Sequence, residues 1–437
     1  MSEIKYPKVL IISDCDFHHG TDATAITLRN IFSGWPVGNL SFLQLKSYNV
    51  VENTVENKFI LDSRNLQLGG LLTKLRNNSG NVTGTAPALV VESNVSHLQK
   101  LKQNLRLSVS SSADMLNYKI NNDLIEFIKD HEPDIIYLLP YGRRIIKLAL
   151  NIKSRFGIPI LPHFMDDWPS TIYMDSSLSL IQRKCTLKTL NTLLNTCEKS
   201  LVISDAMKCE FEKRYKKCQF FSLMNDVEEY LGSSEDDNRS EEKMSLCYAG
   251  GLHLNRWTSL LELCNIVKDN EDIHEIAIYT SQNDWKNVEQ YFKEFHFVVY
   301  KGFIKQTDVL TTLNNYDVLI FIESFDENIK QYTRFSISTK IPEYLSLGKA
   351  IIAVGPSDIA SIAYLKENNL AIVCDDTNRV EWKNVLKNDL TDKKLLKKNI
   401  ENGKNIFFRN HYRKTQQHKF LEILRALKIN KNEDSNH

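Results

Sequence analysis

The segment Phe335-Ser336-Ile337-Ser338-Thr339-Lys340-Ile341-Pro342-Glu343-Tyr344-Leu345, closed by Gly348 and an apolar run from Ala350 to Val354, has the residue types to seat an anion. Its pattern predicts a loop, a short helix and a strand. Ser338 and Thr339 are N-cap residues by type, and Pro342 is tolerated in a first helical turn. Gly348 suits the left-handed position behind a helix end, and the run after it reads as a buried strand. Such a turn gathers free backbone N–H groups, the positive end of a helix dipole and the Lys340 ammonium, which together suit a diphosphate. Glu343, one turn in, is placed to accept hydrogen bonds from paired sugar hydroxyls. A capped surface helix with an acid near its start would use the same residues, so this segment alone leaves both readings open.

Other strand ends offer further chemistry, because open α/β sheets bind ligands beyond the carboxyl ends of their strands. After the first apolar run come Asp14, Cys15, Asp16, Phe17, His18, His19, Gly20 and Thr21. Gly20-Thr21 before a helix permits close approach of a phosphate. Asp14-Cys15-Asp16 formally matches an acidic pair that holds a divalent metal, but its place after a first strand argues against that role, and no metal site is expected. After the run Ile158–His163 stand His163, Asp166, Asp167 and Trp168. A histidine there can contact hydroxylated ligands or simply bond within its loop. Asp166 and Asp167 are candidates for acceptor contact or hydroxyl activation. After Met244–Ala249, the pair Gly250-Gly251 allows tight backbone approach, and Arg256 precedes a helix where a guanidinium can clamp a phosphate.

Short apolar runs alternating with helical patterns must position these groups. Strands are expected at 8–13, 41–45, 134–139, 158–163 and 200–203, with helices at 21–32, 122–130, 143–156 and 204–215. The pattern restarts with strands at 244–249, 275–280, 297–301, 318–322, 350–354 and 371–374. Its helices fall near 257–268, 285–292, 307–314 and 357–367. Strands separated by helices imply parallel sheet with right-handed crossovers, hence an α/β protein of two doubly wound, Rossmann-like domains. The expected boundaries are 1–228 for the first domain, with an irregular insertion at 49–121 and completion by a C-terminal helix at 405–429. The second spans 243–404, and 229–242 is an acidic, flexible loop. Basic residues of the insertion, among them Arg64, Lys74, Arg76 and Lys100, suit an anionic acceptor or lipid headgroups as well as a plain solvated surface.

Composition narrows the class. The chain has 437 residues, too many for one core, and a net charge of +1, which offers no whole-molecule attraction to nucleic acid. Its 8 cysteines form no CxxC pair, so neither a zinc site nor a disulfide framework is signalled. The start lacks the layout of a signal peptide, and no apolar run is long enough to span a bilayer. A cytoplasmic protein is expected, soluble or peripherally attached to the inner face of a membrane.

Taken together, these motifs resemble the family 4 glycosyltransferases of GT-B fold, of the type found in bacterial surface polysaccharide biosynthesis. The likeness is carried by His163 to Pro169, by Val202-Ile203-Ser204-Asp205-Ala206-Met207 with Tyr215, and by Phe335 through Gly348. Tyr248-Ala249-Gly250-Gly251-Leu252 and Gly302 match in place, and nearly all the chain outside 49–121 is covered. The resemblance implies two domains facing a cleft, a nucleotide-sugar donor held mostly by the second and a saccharide or lipid-linked acceptor held by the first. It implies that Glu343 receives the ribose, that Thr339 and Ser338 with their neighbours' N–H groups receive the diphosphate, and that Arg256 is the basic residue on the phosphates. His163 would meet the transferred sugar, and Gly20 would lie in a first-domain glycine loop. Transfer would retain the anomeric configuration, with no metal and no other cofactor. Two positions depart from the pattern: Phe335 stands where a second Glu is frequent, and Gly251 where an Arg commonly follows the glycine. Arg256 and Lys340 are then left to supply the positive charge. A nucleotide-sugar epimerase of the same fold and a non-catalytic nucleotide-sugar-binding subunit are the alternatives. UDP and GDP fit the motifs equally, and oligomeric state is not legible in them.

Overall fold

The computed structural model describes residues 6–18, 20, 22–45, 57–61, 65–67, 115–174, 179–232 and 243–434. The chain divides into two compact units, Met1–Leu223 with Gln417–His437, and Met224–Gln416. In the first, the described strands are β1 (Val9–Ser13), β2 (Leu40–Leu45), β3 (Lys58–Leu61), β4 (Ile135–Leu138), β5 (Ile160–Phe164), β6 (Lys199–Val202) and β7 (Gln219–Ser222). They form one parallel sheet in the order β3-β2-β1-β4-β5-β6-β7. All five residues of β1 are buried, as a strand covered on both faces requires. The order reverses between β1 and β4, so the loops after these strands diverge and open the crevice used by ligands in such sheets.

The second unit repeats the plan with β8 (Met244–Ala249), β9 (Ile273–Tyr279), β10 (Val298–Gly302), β11 (Val318–Ile322), β12 (Ala350–Val354) and β13 (Ile372–Cys374). Its parallel order is β10-β9-β8-β11-β12-β13, with the reversal between β8 and β11. Alternation along the strands builds two cores. Leu246, Ile278, Ile320 and Ile352 pack with Leu260 and Leu263 on one face. Cys247, Ala277, Leu319, Phe321 and Ile351 pack with Ile341, Tyr344 and Leu345 on the other. Each large aliphatic side chain so buried contributes roughly 1.5–3 kcal/mol. Tyr344 and Leu345 thereby anchor the helix Lys340–Ser346 that bears Lys340 and Glu343.

Three expectations about organisation are corrected. First, the stretch 49–121 is not wholly irregular: β3 extends the sheet beside β2, and Leu66 bridges Tyr118. The basic residues singled out within it lie outside the described residues. Second, the first boundary falls at Leu223/Met224, because Met224 to Gly232 is bound into the second unit. Val227 N–H donates to His411 O (2.9 Å) and accepts at its carbonyl from Arg413 N–H (3.0 Å). The Arg413 guanidinium pairs with Asp226 at 2.8 Å, and the N–H groups of Leu231 and Gly232 donate to Ser346 O. Of the expected loop 229–242, residues 233–242 lie outside the described residues. Third, the C-terminal tail is not one helix from 405. The helix Lys393–Ile406 gives way to a widened π-helical turn at Phe407–His411, and a new helix runs from Arg413 to Asp434. Only from Gln417 does this last helix belong to the first unit, where Phe420 and Leu424 join Leu28, Trp35 and Tyr137 in the core.

Candidate functional site

In the second unit the strand-end residues converge. Tyr248, near the end of β8, donates its hydroxyl to Gly251 O at 2.7 Å and so pins the turn Gly250-Gly251. The Lys340 ammonium lies over that turn: a β-carbon on Gly250 would fall 1.8 Å from Nζ. Nζ also stands 4.9 Å from the centre of the Tyr248 ring, a cation–π distance. Glycine at 250 lets the lysine end settle on the turn, and its φ of +156° is at the edge of what other residues adopt.

Arg256 opens the helix Arg256–Val267. Its guanidinium pairs with Glu323, 3.2 Å from Nη2 to Oε2, and both side chains are largely buried. Glu323 follows β11 directly and is held there by its own N–H on Val354 O at 2.8 Å. It went unremarked in the sequence, although a carboxylate immediately after Val318–Ile322 obeys the same strand-end rule that singled out His163. Gln306, also unremarked, donates to Glu343 Oε1 at 3.3 Å.

These charges act on one another. Burial pulls Lys340 down to about 8; Arg256's charge adds to that, while Glu323 and Glu343 oppose it. Burial pushes Glu343 up to about 7, against the Gln306 hydrogen bond and the charge of Lys340. Lys340 thus links the Arg256–Glu323 pair to Glu343. Two cations and two carboxylates share one partly buried place near the ends of β8 and β11.

The capping expectation needs correction. Thr339 occupies the N-cap position in helical conformation and makes no side-chain cap bond. Ser338 Oγ accepts from Lys340 N–H only at 3.4 Å, while its own N–H donates to Ser361 Oγ at 3.1 Å. The helix has seven residues, so its dipole is small, and the positive charge here comes from Lys340 and Arg256. Phe335 lies half-buried with the Arg334 guanidinium 5.2 Å above its ring.

In the first unit, His163, the last residue but one of β5, is almost fully buried, its Nδ1 2.5 Å from Tyr137 Oη. Its Nε2 is buried with no hydrogen-bond partner among the described residues. Burial lowers His163 to about 3, so the ring is neutral at any working pH. Asp166 accepts from Trp168 N–H at 3.0 Å, and burial, aided by Asp14 and Asp167, raises its carboxyl to about 6. Asp167 is committed to Arg214 (2.8 and 3.0 Å) and to Ser170, a structural pairing that removes it from the candidates for hydroxyl activation. A β-carbon on Gly20 would meet Asp16 O at 2.5 Å and Ala25 Cβ at 2.6 Å, so packing already calls for glycine at this position. Asp22 accepts from Ala25 N–H at 3.0 Å and already places an anion at that helix start. His19 and Thr21 lie outside the described residues. Among the described residues, no group of three or more His, Cys, Asp or Glu is arranged to hold a metal ion.

No family model matches the chain, and no curated protein matches it by sequence. Solved structures are similar along nearly its whole length. HepE from Anabaena, in complex with UDP and glucose, is 12% identical with a TM-score of 0.61 over 96% of this chain and 100% of that one. Sucrose-phosphate synthase from Thermosynechococcus elongatus is 10% identical with a TM-score of 0.61 over 96% and 98%. A glycosyltransferase from Rickettsia africae is 11% identical with a TM-score of 0.58, again over 96% and 98%. Two Rossmann-like units with this order of strands, matched end to end by such structures, define the GT-B fold.

Proposed function

We propose that the chain is a retaining glycosyltransferase of family 4 type, moving a hexosyl group from a UDP- or GDP-linked sugar to a saccharide or lipid-linked acceptor in polysaccharide or glycoconjugate biosynthesis. The observation that carries this reading is the seat made by Lys340, Arg256 and the Gly250 turn on a GT-B fold. HepE, solved with UDP, with UDP and glucose and with UDP-glucose, supports a sugar nucleotide as the occupant.

In such a reaction the bond from the anomeric carbon to the diphosphate breaks through an oxocarbenium-like transition state, and negative charge grows on the leaving oxygen. Lys340 and Arg256 are preorganised to meet that charge without reorganising solvent, an effect worth several kcal/mol. Metal independence belongs to the proposal for this reason. Glu343 receives the ribose hydroxyls; Thr339, Ser338 and Gly251 border the diphosphate; Gly20 serves donor binding, and His163 and Asp166 serve catalysis with Arg256. Work on a lipid-linked acceptor at the inner face of a membrane is part of the same reading. Among the described residues no helix is long and apolar enough to cross a membrane.

Purified protein screened against UDP- and GDP-sugars tests this. A true donor at a hundred times its Kd stabilises the fold by about 2.7 kcal/mol, and an acceptor should release free nucleotide diphosphate. Epimerised donor without release would indicate the epimerase, and binding without turnover an inert subunit. Glu343→Ala should weaken nucleotide binding by about 1–3 kcal/mol through loss of charged hydrogen bonds. Unchanged titration calorimetry would remove Glu343 from the site.

A further inference from the structure

We infer that Tyr137 is a positioning residue that holds His163 as its Nε2–H tautomer and so presents a neutral N–H donor near the end of β5, an inference that rests on the proposed glycosyl transfer. Tyr137 on β4 registers with Leu161 on the neighbouring β5, and side chains two apart share a face, so Tyr137 and His163 lie on the same side of the sheet. Oη stands 2.5 Å from Nδ1. Among the described residues the hydroxyl has no other hydrogen-bond partner, and both side chains are essentially inaccessible to solvent.

A buried phenol hydrogen must go to an acceptor, and here the acceptor is the Nδ1 lone pair. Burial holds the Tyr137 hydroxyl protonated well above its usual range and keeps the imidazole neutral. With Nδ1 accepting, the ring's one hydrogen resides on Nε2, the nitrogen left buried without a partner among the described residues. A desolvated donor in that state is unfavourable unless a ligand satisfies it. A sugar hydroxyl can do so as a neutral acceptor. A neutral imidazole also avoids placing positive charge beside the developing oxocarbenium ion, which an imidazolium would repel.

The tyrosine cannot easily turn away. Its ring meets Phe32 edge-on at 5.2 Å and Phe420 at 5.8 Å, while the His163 ring stands at 84° to it. Rotation about the ring axis leaves Oη in place, because the hydroxyl lies on that axis. Phe32 follows the helix Ala23–Ile31 and Phe420 comes from the C-terminal helix, so both ends of the chain brace this one bond.

The test is Tyr137→Phe, which keeps the ring and deletes the hydroxyl. Long-range nitrogen–proton correlation spectra of histidine-labelled protein should show wild-type His163 with its proton on Nε2 and the variant with an Nδ1–H population. The variant's kcat should fall about tenfold with the donor KM unmoved. A wild-type spectrum with the proton on Nδ1 overturns the inference whether or not the variant folds, and so does a variant with wild-type kcat. Absence of transfer by the wild-type protein overturns the proposed function instead, and the spectrum still decides the tautomer.

Discussion

Arg256→Met should destabilise the second unit by about 3–5 kcal/mol, because it leaves the carboxylate of Glu323 buried without its counter-ion. Methionine fills much of the space of the arginine stem, so the loss reports charge rather than packing. The partner experiment separates stability from function. Adding Glu323→Gln to Arg256→Met replaces both charges and should recover most of the folding free energy, since removing a whole buried pair is far less damaging than removing half of it. Nucleotide binding should stay lost in the double variant, because no guanidinium is then available to phosphate. Urea unfolding of the three proteins, with UDP titrated into each, checks both halves. Equal stability of Arg256→Met and wild type would show that the pair is not the buried ion pair described.

Lys340→Met has the second large effect. Removing an ammonium held over Gly250 in a partly buried turn should cost about 2–5 kcal/mol of diphosphate affinity, at least a 30-fold weakening. Its pH dependence has a definite sign. Lys340 titrates at about 8 in the folded, empty site against 10.5 ordinarily, so the unfolded chain holds more protons between those values. Burying the charged lysine therefore opposes folding below about 8, and stability rises with pH as that opposition is relieved up to 10.5. Nucleotide affinity moves the other way, since a bound diphosphate favours the charged lysine; above about 8 affinity should fall. Glu343 supplies the opposite limb. Its carboxyl titrates at about 7, and ribose hydroxyls donate best to the ionised form, so affinity should climb as pH rises through that value. An affinity optimum follows, with an acid limb from Glu343 and an alkaline limb from Lys340, and Lys340→Met should lose the alkaline limb.

Much of the architecture was legible because uninterrupted apolar runs admit few alternatives. Met244–Ala249, Val318–Ile322 and Ala350–Val354 coincide with their strands, residue for residue. Failures came where local pattern was weak. The helix Leu180–Thr196 interleaves Thr, Lys and Asn with leucines and shows no clear apolar face, and β7 has only four residues. The glycines and Lys340 could be singled out from local spacing, and the structure brings Lys340 onto Gly250. Pairings distant in sequence could not be foreseen. Arg256 meets Glu323 67 positions away, and Tyr137 meets His163 26 away, because parallel strands juxtapose their ends only after the crossovers are made. The Ser338–Thr339 cap misled for a related reason: Ser361, on the helix Ala360–Glu367, takes the Ser338 N–H.

The most direct test of the diphosphate seat is titration calorimetry of UDP and GDP at about pH 8, run in two buffers of different ionisation heat, on wild type and Lys340→Met. The wild-type protein should bind one of the nucleotides with net proton uptake, since the lowered Lys340 is only partly protonated there when the site is empty. The variant should bind it at least 30-fold more weakly and without that uptake. Equal affinity and the same proton balance in both proteins would contradict the account at its root.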